Sequence, residues 1–288
     1  LQWIDPGGNS VRIDAMGLPV VPLSQGIHVV HLFFRINRLR WSTLLPSESR
    51  QALERLQSIC EANPGPAHPR VMLFANVGGK ADVAVVLFAS ELQEVSRLQR
   101  AVERAFPAGS LEPVYSYLSV TELPEYVTTD DDLRRMLQHG ERKLEPGSTE
   151  FDAAFTAAKQ KNAEYQHYRL YPELLDWPIL CFYPMNKKRD GADNWYSLDF
   201  DSRKKLMGGH ARTGRKYAGR ISQLITGSAG LDDWEWGVTL LAERLDDVKS
   251  IVYEMRFDEV SARYGEFGPF YINLRMTPTD LWSHLGLD

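Results

Sequence analysis

Three side chains able to do chemistry alternate along one short stretch, CFYPMNKKRD from Cys181 to Asp190: Tyr183, Met185 and Lys187. In an extended strand successive side chains point to opposite faces, so these three share one face. A phenol donates or accepts a hydrogen bond and its ring spreads an unpaired electron. An ammonium on the same face holds a carboxylate by a charge-assisted hydrogen bond. Further along, SRKKLMGGHARTGRKYAG puts Leu206, Met207, His210, Thr213 and Tyr217 on one helical face by the i, i+3, i+4, i+7 rule. A histidine there is either a core residue hydrogen-bonded to backbone or a metal ligand.

The seven histidines (His28, His31, His68, His139, His167, His210 and His284) show no helical pair at i, i+4, so a multi-histidine centre is unsupported. A porphyrin iron needs only one protein ligand. The second half also carries polar groups at strand edges: Arg169, Gln223, Arg256 and Ser261 beside Tyr183, Met185 and Lys187. Arginine and lysine with hydroxyls are the chemistry that fixes carboxylates, although each residue taken singly also reads as solvated surface. Other motifs fail on inspection. Gly78-Gly79-Lys80 lacks the first glycine of a phosphate loop, where Phe74 stands, and the metal-binding hydroxyl, where Ala81 stands. There is no GxSxG, HExxH, GxGxxG or CxxC.

The elements that must position these groups repeat. From Gly26, IHVVHLFFRINRL reads as a strand, a helix follows Pro46, RVMLFANV and ADVAVVLFA are strands joined by Gly78-Gly79, a helix opens at a Ser90/Gln93 capping box, and PVYSYLSV closes the set. The order β, α, β, β, α, β returns from PILCFY to PFYINLRM. The expected fold is α+β: two ferredoxin-like halves, 26–126 and 178–288, whose antiparallel sheets form a β-barrel flanked by helices. Residues 1–25 read as an arm and 127–177 as a charged, partly helical connection.

With 288 residues, 43% hydrophobic, the chain can bury a sizeable core. A formal net charge of -5 leaves no broad basic field and argues against nucleic acid as the main partner. No apolar run approaches a membrane span, and LQWIDPGGNS lacks the pattern of a signal peptide. The two cysteines, Cys60 and Cys181, read as buried thiols of a reducing, cytoplasmic setting.

The stretches CFYPMNKKRDGADNWY, GGHARTGRKYAGRISQLITGSAGLDDWEWGVTL and YEMRFDEVSARYGEFGPFY closely resemble the coproheme decarboxylases of the chlorite dismutase superfamily, and GGKADVAVVLF and YSYLSVTELPEY also look like that family. The likeness runs from about Gly26, is strongest from Arg169 to Tyr271, and weakens at 127–168, where this chain looks longer. It implies hydrogen-peroxide-dependent conversion of two propionates of iron coproporphyrin III (coproheme, both substrate and cofactor) to vinyl groups, giving haem b. Partners implied are coproheme, peroxide, a homopentamer of this chain and a transient coproporphyrin ferrochelatase.

Carried over by position, His210 falls on the proximal iron ligand and Tyr183 on the tyrosine that takes a hydrogen atom from the propionate β-carbon. Met185 and Lys187 line the reactive propionate, and Arg169, Arg256, Ser261 and Tyr126 are further anchors. Gln223 stands where chlorite dismutases carry arginine, which places chlorite dismutation second. Glu259 is either a hydrogen-bond partner of the proximal imidazole or a helix-surface carboxylate, and His167 either a loop residue or a base for peroxide. Asn186 departs from the serine frequent in relatives, and Gly230-Leu231-Asp232-Asp233-Trp234 misses the GxxDG of dye-decolourising peroxidases at its last position. A rival of another class is a haem-binding carrier or sensor, which has no need of Tyr183. An acidic chain that takes a four-carboxylate substrate needs a local positive pocket, for which Arg169, Lys187 and Arg256 are the candidates.

Overall fold

HVVHLFFRI is apolar almost throughout, as expected of a strand covered on both faces, and it forms β1, His28–Ile36, inside a nine-stranded sheet. The computed structural model describes residues 12–15, 17–140 and 143–288. After β1 come a single turn of helix, α1 (Arg38–Trp41), then α2 (Pro46–Ala62), β2 (Arg70–Val77), β3 (Val83–Ala89), α3 (Leu92–Ala105) and β4 (Leu111–Thr121). Two helices follow, α4 (Asp130–His139) and α5 (Thr149–Leu170). The second repeat has β5 (Ile179–Lys187), α6 (Phe200–Arg215), β6 (Ile221–Gly227), β7 (Trp236–Ala242) and α7 (Leu245–Met255). It ends with a π-helical turn at Val260–Tyr264, β8 (Gly265–Phe267), β9 (Tyr271–Arg275) and α8 (Pro278–Leu285).

The two repeats use their strands identically. The first is ordered β4-β1-β3-β2 and the second β9-β5-β7-β6, every ladder antiparallel. Each repeat's last strand pairs with the other's second strand, β4 with β6 and β9 with β2, so the order returns on itself. The inward faces build one shared core that includes Phe33, Phe74, Tyr117, Phe182 and Leu241. The compact units are therefore not the two repeats. One unit joins the chain up to Thr121 with Glu173–Asp288, and the other is Glu122–Pro172.

Within the second unit Thr129 caps α4, accepting from the Asp132 N–H, and Lys159 on α5 reaches Asp130 at 2.6 Å. His167, read from sequence as a loop residue, lies in the last turn of α5. The expected Ser90/Gln93 capping box does not form, because α3 starts one residue later, at Leu92, with Glu91 as its cap. Gln93 instead accepts from Val21 N–H at 3.0 Å, and Arg97 pairs with Asp14, so the described part of the arm lies on α3. Residues 1–11 and 16 of the arm lie outside the described residues. Among the described residues no helix is long and apolar enough to cross a membrane.

Pro184 sits inside β5. Its missing N–H falls where the neighbour changes: β9 pairs with Ile179–Phe182 and β8 with Met185–Lys187, and only the Pro184 carbonyl is used there, accepting from Gly268 N–H at 2.9 Å. Gly78 and Gly79 take φ of 98° and 77° in the β2–β3 turn, a backbone that favours glycine, so the sequence resembling a phosphate loop is a hairpin connection.

Outside the sheet the two repeats differ. On the first, α2, α3 and α8 close over a packed layer with Trp41, Leu56, Phe106 and Trp282. On the second, α6 packs chiefly against α7 and the π turn. While α2 buries Ser49, Ala52 and Leu56, α6 buries none of its 16 residues.

Candidate functional site

The register of β5 sorts its side chains as the period of two requires. Leu180 and Phe182 face the shared core, and Cys181 joins Tyr183 and Met185 on the face toward α6 and α7. Cross-strand partners extend that face: Tyr183 lies in a row with Val238 and Ile225, and Cys181 in a row with Leu240 and Gln223. Two strand spacings and a two-residue offset put the Tyr183 and Gln223 Cα atoms roughly 12 Å apart. The face is wide enough for a flat, ring-shaped group between them.

Tyr183 is buried, its ring stacked on Phe270 at 4.2 Å and tilted against Phe267 at 6.1 Å. Burial pushes its phenol pKa up, with Cys181 adding and the Arg256 guanidinium opposing, so the O–H stays protonated at ordinary pH. Arg256 lies over the Phe267 ring at 3.7 Å and ion-pairs with no carboxylate among the described residues. Lys187, also buried, holds its ammonium 4.8 Å over the Trp195 ring. Burial lowers its pKa to about 8, against the opposing pull of Asp258. At neutral pH this side chain is mostly charged and able to pair with an incoming anion.

His210 sits toward the C-terminal end of α6. Its Nδ1 is 2.9 Å from Asp258 Oδ2, and Asp258 also accepts from the Ser261 N–H at 2.9 Å and the Ser261 hydroxyl at 3.4 Å. Burial raises the Asp258 pKa, but the hydrogen bonds from His210 and Ser261 outweigh it and hold the carboxyl below its ordinary value. A carboxylate at Nδ1 favours the tautomer with N–H there, leaving Nε2 with its lone pair for a metal. The acid that orients the imidazole is thus Asp258 and not Glu259. Glu259 is exposed and pairs with Arg263 at 2.9 Å. The chain turns between α7 and the π turn, and the carboxylate that caps Ser261 N–H is the one that faces α6. The Asp-x-x-Ser spacing at Asp258 and Ser261 was the available sequence signal, since it is a capping pattern.

Tyr183, Met185, Lys187, His210, Gln223, Arg256 and Ser261 are therefore all on the outer face of the second repeat. Phe267, Phe270 and Trp195, which pack on Tyr183, Arg256 and Lys187, were not singled out from sequence, because aromatic residues at strand ends read as ordinary core. Arg169 and Tyr126 belong to the second unit, where Arg169 Nη2 reaches the Glu122 carbonyl at 3.4 Å and its Nε is buried with no hydrogen-bond partner among the described residues. His167 is exposed on the same helix.

The residues fit a planar iron-binding group on one count in particular. α6 presents Gly208 and Gly209, and a Cβ built at Gly208 meets nothing within 4 Å. At Gly214 a Cβ would lie 3.5 Å from Gln223 Nε2 and 3.4 Å from Met255 Cε, where helix and sheet come together. A helix that buries no residue and comes close to the sheet residue Gln223 at Gly214 leaves the half-buried Met185, Gln223 and Ile225 without a packed helical layer such as the first repeat has. No cluster of three or more histidine, cysteine, aspartate or glutamate residues suited to a metal ion occurs among the described residues.

Comparison with known proteins agrees with this architecture. The family model described as Chlorite dismutase matches residues 49–276. The "Putative heme-binding protein" of Haloquadratum walsbyi is 39% identical over 275 residues, covering 92% of this chain and 47% of that protein, so the chain spans about half the length of that relative. A novel heme-binding protein from Thermus thermophilus is 36% identical with a TM-score of 0.74, over 93% of this chain and 98% of that one. Chlorite dismutase from Candidatus Nitrospira defluvii, solved as an arginine-to-lysine mutant, shares the fold at 18% identity and a TM-score of 0.66, over 91% of this chain and 96% of that one. With a family model spanning most of its length and a relative well above 30% identical, this chain belongs to the chlorite dismutase family.

Proposed function

We propose that this chain binds an iron porphyrin through His210 Nε2 and acts on coproheme, removing two carboxyl groups as carbon dioxide with hydrogen peroxide as oxidant. The observation that carries the reading is the His210–Asp258 pair on a helix that stands off the sheet, opposite a buried tyrosine. The heme-binding names of the Haloquadratum and Thermus proteins support the first part. When bound, the iron supplies peroxide-driven oxidation. The rest is done by side chains. For each propionate the balance is one peroxide and one proton consumed, with one vinyl group, one carbon dioxide and two waters formed.

Lys187 pairs with a propionate carboxylate, helped by Ser261, and Arg256 anchors another. Met185 walls the reacting group. Tyr183, held between Phe270 and Phe267, would lose its O–H hydrogen (one proton and one electron) to the oxidation the iron supplies and, as a phenoxyl radical, take a hydrogen atom from the propionate β-carbon; a fixed ring removes much of the entropic barrier to that encounter. Asp258 holds the His210 ring in one tautomer and orientation. Gln223 is neutral on the opposite wall and supplies no fixed charge for a chlorite-derived anion, which ranks chlorite dismutation below decarboxylation. The test is addition of peroxide to the coproheme complex, followed by product mass. Loss of two carbon dioxide molecules is expected in the parent, with binding retained and decarboxylation abolished in Tyr183→Phe. Bleaching without mass loss in the parent overturns the enzymatic reading in favour of a carrier, and an active Tyr183→Phe overturns the role of the phenol.

A further inference from the structure

The internal repeat produces two grooves in equivalent places, each between the second helix of a repeat and its last strand. The α3 positions Leu92, Val95, Ser96 and Gln99 recur in register on α7 as Leu245, Val248, Lys249 and Val252, lining the grooves against β4 and β9 respectively. The first groove is small, about 150 Å³, and its wall contains Asp232, whose Oδ2 accepts from Leu118 N–H at 3.0 Å. The second is about 330 Å³, runs down to the fully buried Cys181, and has Phe270 and Ile272 as its wall. In the second copy the polar Gln99 position has become Val252, the Ser96 position has become Lys249, and no acid lines the groove.

Two cations stand at its rim, Lys249 and Arg256, two turns apart on one face of α7 and its C-terminal cap. Neither ion-pairs with a carboxylate among the described residues, while the acids of the same helix are engaged elsewhere: Asp246 with Arg244, Asp247 with Arg220, and Glu254 with Lys216. An apolar slot of this volume closed by unpaired cations is complementary to a molecule with an apolar body and an acidic head. We propose that this groove is a binding site for an amphipathic carboxylate of fatty-acid type, adjoining the face that carries Tyr183 and His210 and sharing Arg256 with it. Phe270 is the shared wall, since it lines the groove and stacks on Tyr183 at 4.2 Å. An occupant therefore bears on the ring that holds Tyr183 in place. A concave slot reaching a side chain with no exposure favours a single small molecule over a flat membrane or protein surface.

The test uses decanoate, titrated calorimetrically into the metal-free full chain, with decanol as the uncharged control. Saturable binding of one decanoate is expected, at least tenfold tighter than decanol. Val252→Trp, which fills the slot, abolishes it. Lys249→Glu, an exposed change that leaves packing intact, weakens it at least tenfold. Equal affinity for decanol, an unaffected Lys249→Glu, or binding only to anionic phospholipid vesicles overturns the proposal. Sedimentation of the parent and Lys249→Glu accompanies the titration: dissociation of an assembly by the substitution makes the groove a contact between copies of this chain and likewise overturns it.

Discussion

His31 is the side chain whose protonation should most affect folding. It lies inside the ring of strands with no exposure, its Nε2 2.9 Å from Thr239 Oγ1 and its ring stacked on Phe182 at 4.2 Å, while Nδ1 finds no hydrogen-bond partner among the described residues. Burial drives its pKa down from 6.5 to about 3. The unfolded chain therefore binds the proton first as pH falls. The neutral imidazole contributes its full stability above about pH 6.5, and that contribution is lost progressively as pH falls toward 3. At about 1.4 kcal/mol per pH unit for one proton, the loss between pH 7.5 and pH 5 is about 2 kcal/mol. Buried carboxylates add their own slope, so the measurement is a difference. Urea unfolding of the metal-free parent and of His31→Gln, followed by tryptophan fluorescence at pH 7.5, 6 and 5, should show the stability gap between them shrinking by about 2 kcal/mol from the highest pH to the lowest. A gap that stays constant refutes the assignment of His31 as a buried neutral group.

Three further outcomes follow from named contacts. Asp258→Ala removes the acceptor for His210 Nδ1 and for Ser261 N–H; nitrogen NMR of the metal-free protein should change from one imidazole tautomer to a mixture, with a stability loss of about 2 kcal/mol for the charge-assisted bonds. Glu259→Ala touches only an exposed pair and should leave both the tautomer and the unfolding midpoint unchanged. In Gly237→Ala the new Cβ would lie 2.5 Å from Tyr117 Cε1 and 2.9 Å from Thr226 Oγ1, so thermal unfolding should report a loss of about 1–3 kcal/mol from overpacking.

Both βαββαβ sets were legible because each strand and helix states its own period. HVVHLFFRI and ADVAVVLFA are apolar runs bounded by Gly26 and by Gly78-Gly79, and the α3 stripe of Val95, Leu98 and Val102 has helical spacing. The grouping of Tyr183, Met185 and Lys187 on one face came from the same local rule. Other features were not local. The expected Ser90 cap moves one residue, to Glu91, and Gln93 is claimed by Val21, some seventy residues earlier in the chain. Asp258 and Glu259 are neighbours of equal chemistry, and only the turn after α7 decides which of them faces His210.

What this sequence determines alone is the strands and helices of the two βαββαβ sets, their order, the internal repeat and the face shared by Tyr183, Met185 and Lys187, since these depend on periodicity, turn residues and propensity within a few positions. Tertiary structure decides the rest. That β2 pairs with β9 and β4 with β6 depends on which exposed edges meet once both repeats exist. That one outer face is closed by Trp41 and Trp282 while α6 stands away from the other depends on α8 returning to fill only the first. A site of this kind arises where packing is left incomplete, and incompleteness belongs to the assembled molecule rather than to any one stretch of it.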